Sequence, residues 1–153
     1  MRGGYRYIEH TADVEFVAYG DTPEDLFENA LLAMFNTVAD IRKLAAHKSK
    51  ASKFEIRAKG DNTEDLVWET LQSALSISEA KGVFAYKVEK PLYKTMHNSK
   101  CLFSAICSAK AKDQRFAKLE VKGVSRFDLK FREAAHGSRK DGHGFEVNVV
   151  LDV

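Results

Sequence analysis

Cysteine is nearly absent from this chain: Cys101 and Cys107 are the whole complement. They sit six positions apart in an alternating run, so in a strand both face the same way, separated by about 20 Å at roughly 3.3 Å per residue. That is too far for a bridge along one strand. They read as small buried apolar residues in a reducing setting, and a disulfide scaffold is excluded. Long hydrophobic runs are missing too, since no window approaches the ~18–20 apolar residues of a membrane helix. Met1-Arg2-Gly3-Gly4-Tyr5 is followed by no signal-type apolar stretch. The expectation is a cytoplasmic protein with no membrane partner. Charge of one sign is also lacking. Lys and Arg number 24 against 22 Asp and Glu, and the sequence pI near 8.5 falls short of the footprint of a dedicated nucleic-acid binder.

Familiar catalytic signatures are absent as well. There is no G-x-S-x-G elbow, no Walker A loop and no glycine series that would cradle a phosphate. His10, His47, His97, His136 and His143 show no zinc-type spacing with one another or with the cysteines. No nucleophile-and-base set is visible, so the chain does not read as an enzyme in its own right.

What is present is a length of 153 residues and 44% hydrophobic content, enough for one domain with its own core over residues 1–153. Tyr5–Glu9 and Val14–Tyr19 read as short strands around the tight connection His10-Thr11-Ala12-Asp13. Gly20-Asp21-Thr22-Pro23-Glu24-Asp25 opens a helix, with Thr22 as N-cap, Pro23 in the first turn and two acids at the positive dipole end. Leu26, Ala30, Met34 and Val38 then share one face, widened by Leu31 and Phe35, up to about Asp40. The basic stretch Arg42–Lys53 reads as helix exit and linker, solvated or touching RNA or a partner. Phe54 and Ile56 alternate in a strand. Gly60-Asp61-Asn62-Thr63-Glu64-Asp65 repeats the capping grammar, and Leu66, Val67, Leu71, Ala74 and Leu75 carry helical spacing until Gly82.

From Val83 onward the pattern is β: Val83–Glu89, the alternation from Cys101 to Ala109, a long strand keeping the parity of Leu119, Val121, Phe127, Leu129 and Phe131, and Phe145–Leu151. A polar loop with three glycines spans Glu133–Gly144. The expected architecture is α+β in two layers. Two amphipathic helices cover one face of a mixed, mainly antiparallel sheet.

Two acids stand out. Asp13 lies in a strand-to-strand connection, where an acid ordinarily bonds its own backbone in an Asx turn. Asp152 ends a strongly apolar strand beside Val153 and its terminal carboxylate, either as a solvated end or as part of a hard-cation site for Ca²⁺, Mg²⁺ or Mn²⁺. Tyrosine and lysine interleave between Tyr86 and Lys94, as on a single-strand RNA platform, although most aromatics in such a domain are core.

The run Tyr5-x-Tyr7-Ile8-Glu9-His10-Thr11-Ala12-Asp13-Val14, followed by Ala18-Tyr19-Gly20-Asp21-Thr22, resembles the N-terminal signature of the archease family. Phe27-Glu28-Asn29-Ala30, Ala33-Met34-Phe35 and Asp40 continue the resemblance. Glu120-Val121-Lys122-Gly123-Val124 and Val149-Val150-Leu151-Asp152-Val153 extend it to the other end, and it is weakest between about Ala80 and Lys118.

This resemblance implies a non-catalytic protein cofactor of the GTP-dependent RNA ligase that rejoins cleaved tRNA halves. Such a cofactor promotes ligase guanylylation and repeated turnover, with RNA contact indirect or weak. It further implies a divalent cation, calcium foremost, held by Asp13, Asp152 and Val153. Lys122 would take part in ligase activation, with Asp40 and His10 as supporting candidates. The alternatives are a chaperone or scaffold for RNA-modifying enzymes and a stand-alone RNA binder. Two departures accompany the resemblance. Arg126-Phe127 stands where many members carry Tyr-His or Tyr-Ser, and Leu66-Val67-Trp68-Glu69-Thr70-Leu71 lacks the usual leucines and asparagine.

Overall fold

The computed structural model describes residues 4–9, 13–133 and 144–153. Strand β1 (Tyr5–Ile8) pairs antiparallel with β2 (Val14–Gly20), and helix α1 (Pro23–Val38) returns across it. Thr22 Oγ1 accepts the Asp25 N–H at 3.1 Å, which satisfies one of the free donors of the first turn. Gly20 has to be glycine, because an added Cβ would overlap the backbone nitrogen of Leu26 where the helix folds back onto the strand. The second strand-to-helix unit repeats the solution. In β3 (Ser52–Gly60) leading to α3 (Thr63–Lys81), a Cβ on Gly60 would lie 2.6 Å from Leu66 N, and Asn62 Oδ1 caps the Asp65 N–H at 2.8 Å. Gly82 closes α3 at φ 65°, a left-handed cap that glycine adopts without a Cβ penalty.

The basic stretch after α1 differs from the expected linker. Asp40 stops one helix and starts another. Its N–H donates to Phe116 O at 2.8 Å, and its Oδ1 caps the Lys43 N–H at 3.1 Å to begin the short α2 (Ile41–Ala46). At the far end of α2, Lys110 reaches in from the sheet and donates to Leu44 O at 2.5 Å and His47 O at 2.6 Å. A buried ammonium thus binds carbonyls at the negative end of the helix dipole. The short helix needs this partner because six residues cannot hold a helix alone.

Two antiparallel sheets complete the domain. In the first, β1 and β2 continue to β8 (Phe145–Asp152), whose other edge carries β6 (Gly123–Val124) and then β7 (Lys130–Glu133). The second orders β3, β5 (Cys101–Ala111) and β4 (Val83–Thr95), with β5 in the centre. Helices α1 and α3 touch each other and both sheets, so Phe16, Leu26, Leu31, Leu66, Phe103 and Val149 belong to one continuous core. The α+β expectation holds, among the described residues in the form of three helices and wholly antiparallel strand pairings.

The single long strand expected from Leu119 to Phe131 is divided into β6 and β7. Between them Ser125 Oγ donates to Asp128 Oδ2 at 2.9 Å, closing a turn that leaves Phe127 93% exposed. Cys101 and Cys107 are buried and unbridged on the inner face of β5, as their parity implied. No described helix is long and apolar enough to cross a membrane.

Candidate functional site

The antiparallel register of β2 and β8 decides where the two acids meet. Val14 lies opposite Leu151 as the last pair of this ladder; Asp13 is the bend residue that precedes Val14, and Asp152 is the residue that follows Leu151. Asp13 is half-buried and Asp152 exposed. On the other side of β8, Gly123 pairs with Asp152, and the Lys122 N–H donates to Asp152 O at 2.7 Å. Lys122 is exposed. Asp13, Asp152, Val153 and Lys122 are therefore brought to one end of the first sheet.

The remaining candidates are elsewhere or undescribed. Asp40 serves as the N-cap of α2, so its carboxylate already has a backbone donor. His10 lies outside the described residues, as do His136 and His143. Among the described residues, no three side chains of histidine, cysteine, aspartate or glutamate converge on a point. A cation at this end would rest on two side-chain carboxylates and on main-chain oxygen at Val153. That all-oxygen donor set suits a hard ion such as Ca²⁺ rather than zinc.

Helix α3 builds the support under this end, which sequence reasoning missed. Trp68 and Gln72, one helical turn apart, grip both backbone groups of Val124. Trp68 Nε1 donates to Val124 O at 2.8 Å, and Gln72 Oε1 accepts the Val124 N–H at 3.2 Å. A Cβ on Gly123 would sit 3.8 Å from Gln72 Oε1 and 3.9 Å from Asp152 Oδ2. Both are ordinary contact distances, so Gly123 packs closely between the amide and the carboxylate. Against the first turns of the same helix, Arg126 from the connection after β6 lies 4.7 Å from the Trp68 ring centroid and pairs with Asp65, and Glu64 Oε2 accepts the Phe131 N–H at 3.0 Å. Arg126, one of the two departures, is thus part of the fastening between α3 and the segment from β6 to β7. The lone tryptophan was the available signal, and the other departure contains it.

The archease protein family (MTH1598/TM1083) matches residues 5–153, which takes in the acidic end, the Gly20 junction and α3 together. The chain belongs to the archease family. Among curated archeases it is similar to that of Pyrococcus abyssi, 26% identical over 133 residues, covering 87% of this chain and 91% of the relative. It is 38% identical over 85 residues to the archease of Methanosarcina mazei, covering 56% of each. An archease-like protein of Caenorhabditis elegans is 30% identical over 86 residues, covering 56% of this chain and 53% of the relative. Alignments to the first of these relatives, those of Methanosarcina, thus span about half their length. The solution structure of Methanobacterium thermoautotrophicum protein 1598 shares the archease fold described above, with a TM-score of 0.73 at 23% identity over 98% of this chain and 99% of the other.

Proposed function

We propose that this archease-family protein is a protein cofactor in RNA processing. It activates the GTP-dependent RNA ligase of tRNA splicing in the cytoplasm, promoting guanylylation of the ligase and its repeated turnover. The observation that supports the reading is the β2–β8 register, which ends at Val14 opposite Leu151, the neighbours of Asp13 and Asp152. Family membership supports the general role, and the residues at that end supply the chemistry.

Asp13, Asp152 and the main-chain oxygen of Val153 would hold a hard divalent cation, calcium foremost with Mg²⁺ or Mn²⁺ as alternatives. When bound, it supplies a concentrated positive field for phosphate or carboxylate oxygens in the ligase pocket. Lys122, exposed beside Asp152, offers a mobile ammonium to the same oxygens. The cofactor contributes no nucleophile. It brings preorganised charge on a rigid sheet end, and such charge lowers the barrier where negative charge develops.

Purified ligase, GTP and a cleaved RNA test the reading. Asp13→Ala and Asp152→Ala should each abolish stimulation of guanylylation while circular dichroism stays that of the wild type. Lys122→Ala should weaken it. Full stimulation by either aspartate variant rejects the acidic end as the working part. A wild-type protein that stabilises the ligase without raising guanylylation points to a scaffold instead.

A further inference from the structure

Away from the acidic end, the outer face of the three-stranded sheet is organised by its register into rungs. Arg57, Ser104 and Leu92 form one rung across β3, β5 and β4, and Lys59, Leu102 and Lys94 form the next. The residues between them, Ala58, Phe103 and Tyr93, turn inward, so these six side chains share the outer face. They border a cleft of about 470 Å³.

Charge is distributed unevenly over this face. Toward the other end of the sheet, Glu89 is paired with Lys53 and with Lys87, each at 3.4 Å, while within the cleft Arg57 has Glu55 at 3.3 Å. Lys59 and Lys94 take part in no ion pair among the described residues. They stand on strands either side of β5, about 10 Å apart across two inter-strand spacings. Half-buried Leu102 lies between them, and Leu92, 46% exposed, stands two residues from Lys94 on the same strand. The result is an apolar floor with cationic rims.

Such a surface suits a chain that carries anions along its backbone and flat apolar groups beside them. An extended peptide fits less well. Peptides add to sheet edges, here the outer sides of β3 and β4, whereas the floor of this face is β5, hydrogen-bonded along both sides, so the face itself offers a peptide no free main-chain groups. We propose that this face binds single-stranded RNA, with phosphates on Lys59, Lys94 and Arg57 and a ribose or base over Leu92 and Leu102. The floor carries no aromatic ring, so binding is electrostatic and indifferent to sequence. It would give the cofactor a direct hold on an RNA strand, on a surface separate from the acidic pair.

Fluorescence anisotropy of a labelled oligouridylate tests this on the full chain. Three phosphate contacts at about 0.7 each predict a slope of about −2 for log K against log salt, or roughly 20-fold weaker binding for a fourfold rise in salt. Lys59→Gln and Lys94→Gln should each reduce the slope by about 0.7, and the triple variant with Arg57→Gln should remove binding. Asp152→Ala should bind RNA as the wild type does, which separates this face from the proposed cation site. Several results would overturn the proposal: no salt-dependent binding by the wild type, full binding by the triple variant, loss of binding in Lys48→Gln/Lys50→Gln instead, or competition by poly-glutamate as strong as by unlabelled RNA.

Discussion

Strand β6 is two residues long, and that makes its support by α3 testable. A pair this short cannot keep its own place, yet it forms one wall of the acidic end through Gly123 and Asp152. Trp68→Phe removes the indole N–H that satisfies Val124 O while keeping an aromatic ring beneath Arg126. Gln72→Met removes the acceptor of the Val124 N–H with little change in volume. Val124 is 6% exposed, so water replaces these partners poorly. Each lost bond should therefore cost about 1–2 kcal/mol.

The double variant accordingly loses about 2–4 kcal/mol locally, enough to raise opening of β6 by roughly 30-fold or more. Hydrogen exchange followed by mass spectrometry reads this directly. Protection should fall in peptides covering 120–126 and stay unchanged across β3 and β5. A cation titration of the same variants should weaken together with the exchange. Wild-type protection at Val124 in the double variant would refute the clamp. Equal loss of protection throughout the domain would show that the two residues serve the core in general.

Other perturbations probe separate parts of the molecule. Lys110→Met should lower stability by about 2–3 kcal/mol in urea unfolding, because the Leu44 and His47 carbonyls lose a charged donor inside the protein. Asp40→Ala should cost about 1 kcal/mol, whereas Asp40→Asn, an equally good cap, should keep both stability and ligase stimulation. Loss of stimulation in stably folded Asp40→Asn would assign Asp40 a role beyond capping. Burial pushes the Cys107 thiol up to about 12, so it remains protonated across the neutral range. Native protein should therefore resist alkylation at about pH 8, with Cys107 reacting only on unfolding. Rapid native labelling would show that β5 opens.

The features legible from sequence are those written locally. Thr22 and Asn62 as caps, Gly82 as a helix stop and the parity of Cys101 and Cys107 depend on neighbours a few positions away, and the chain adopts them as read. Gly20 and Gly60 were visible as punctuation, but their necessity became clear only with the helix backbones folded against them. The short α2 was hidden because its stabilising cation, Lys110, lies 66 residues from Leu44, and Ala- and Lys-rich sequence looks the same in a linker. The division between β6 and β7 was hidden for a related reason. Alternation continues through Phe127, and only the Ser125–Asp128 bond turns that residue outward.

The acidic end shows the same contrast between local and distant information. Asp13 and Asp152 are each ambiguous alone, an Asx turn and a solvated end, and it is the family resemblance that joins them. Trp68 and Gln72 could not be found that way, since their partner Val124 lies 56 and 52 residues distant and is held through backbone atoms. A backbone partner imposes no residue type at its own position, so such a clamp leaves no paired pattern in a single sequence. The segment from Gly123 to Phe131 therefore depends on α3 for its placement, and Arg126 extends that dependence through Asp65. If this coupling governs function, substitutions on the exposed acids should change ligase stimulation without changing exchange at Val124. Substitutions at Trp68 or Gln72 should change both, and this asymmetry separates residues that would meet the ligase from residues that hold them in place.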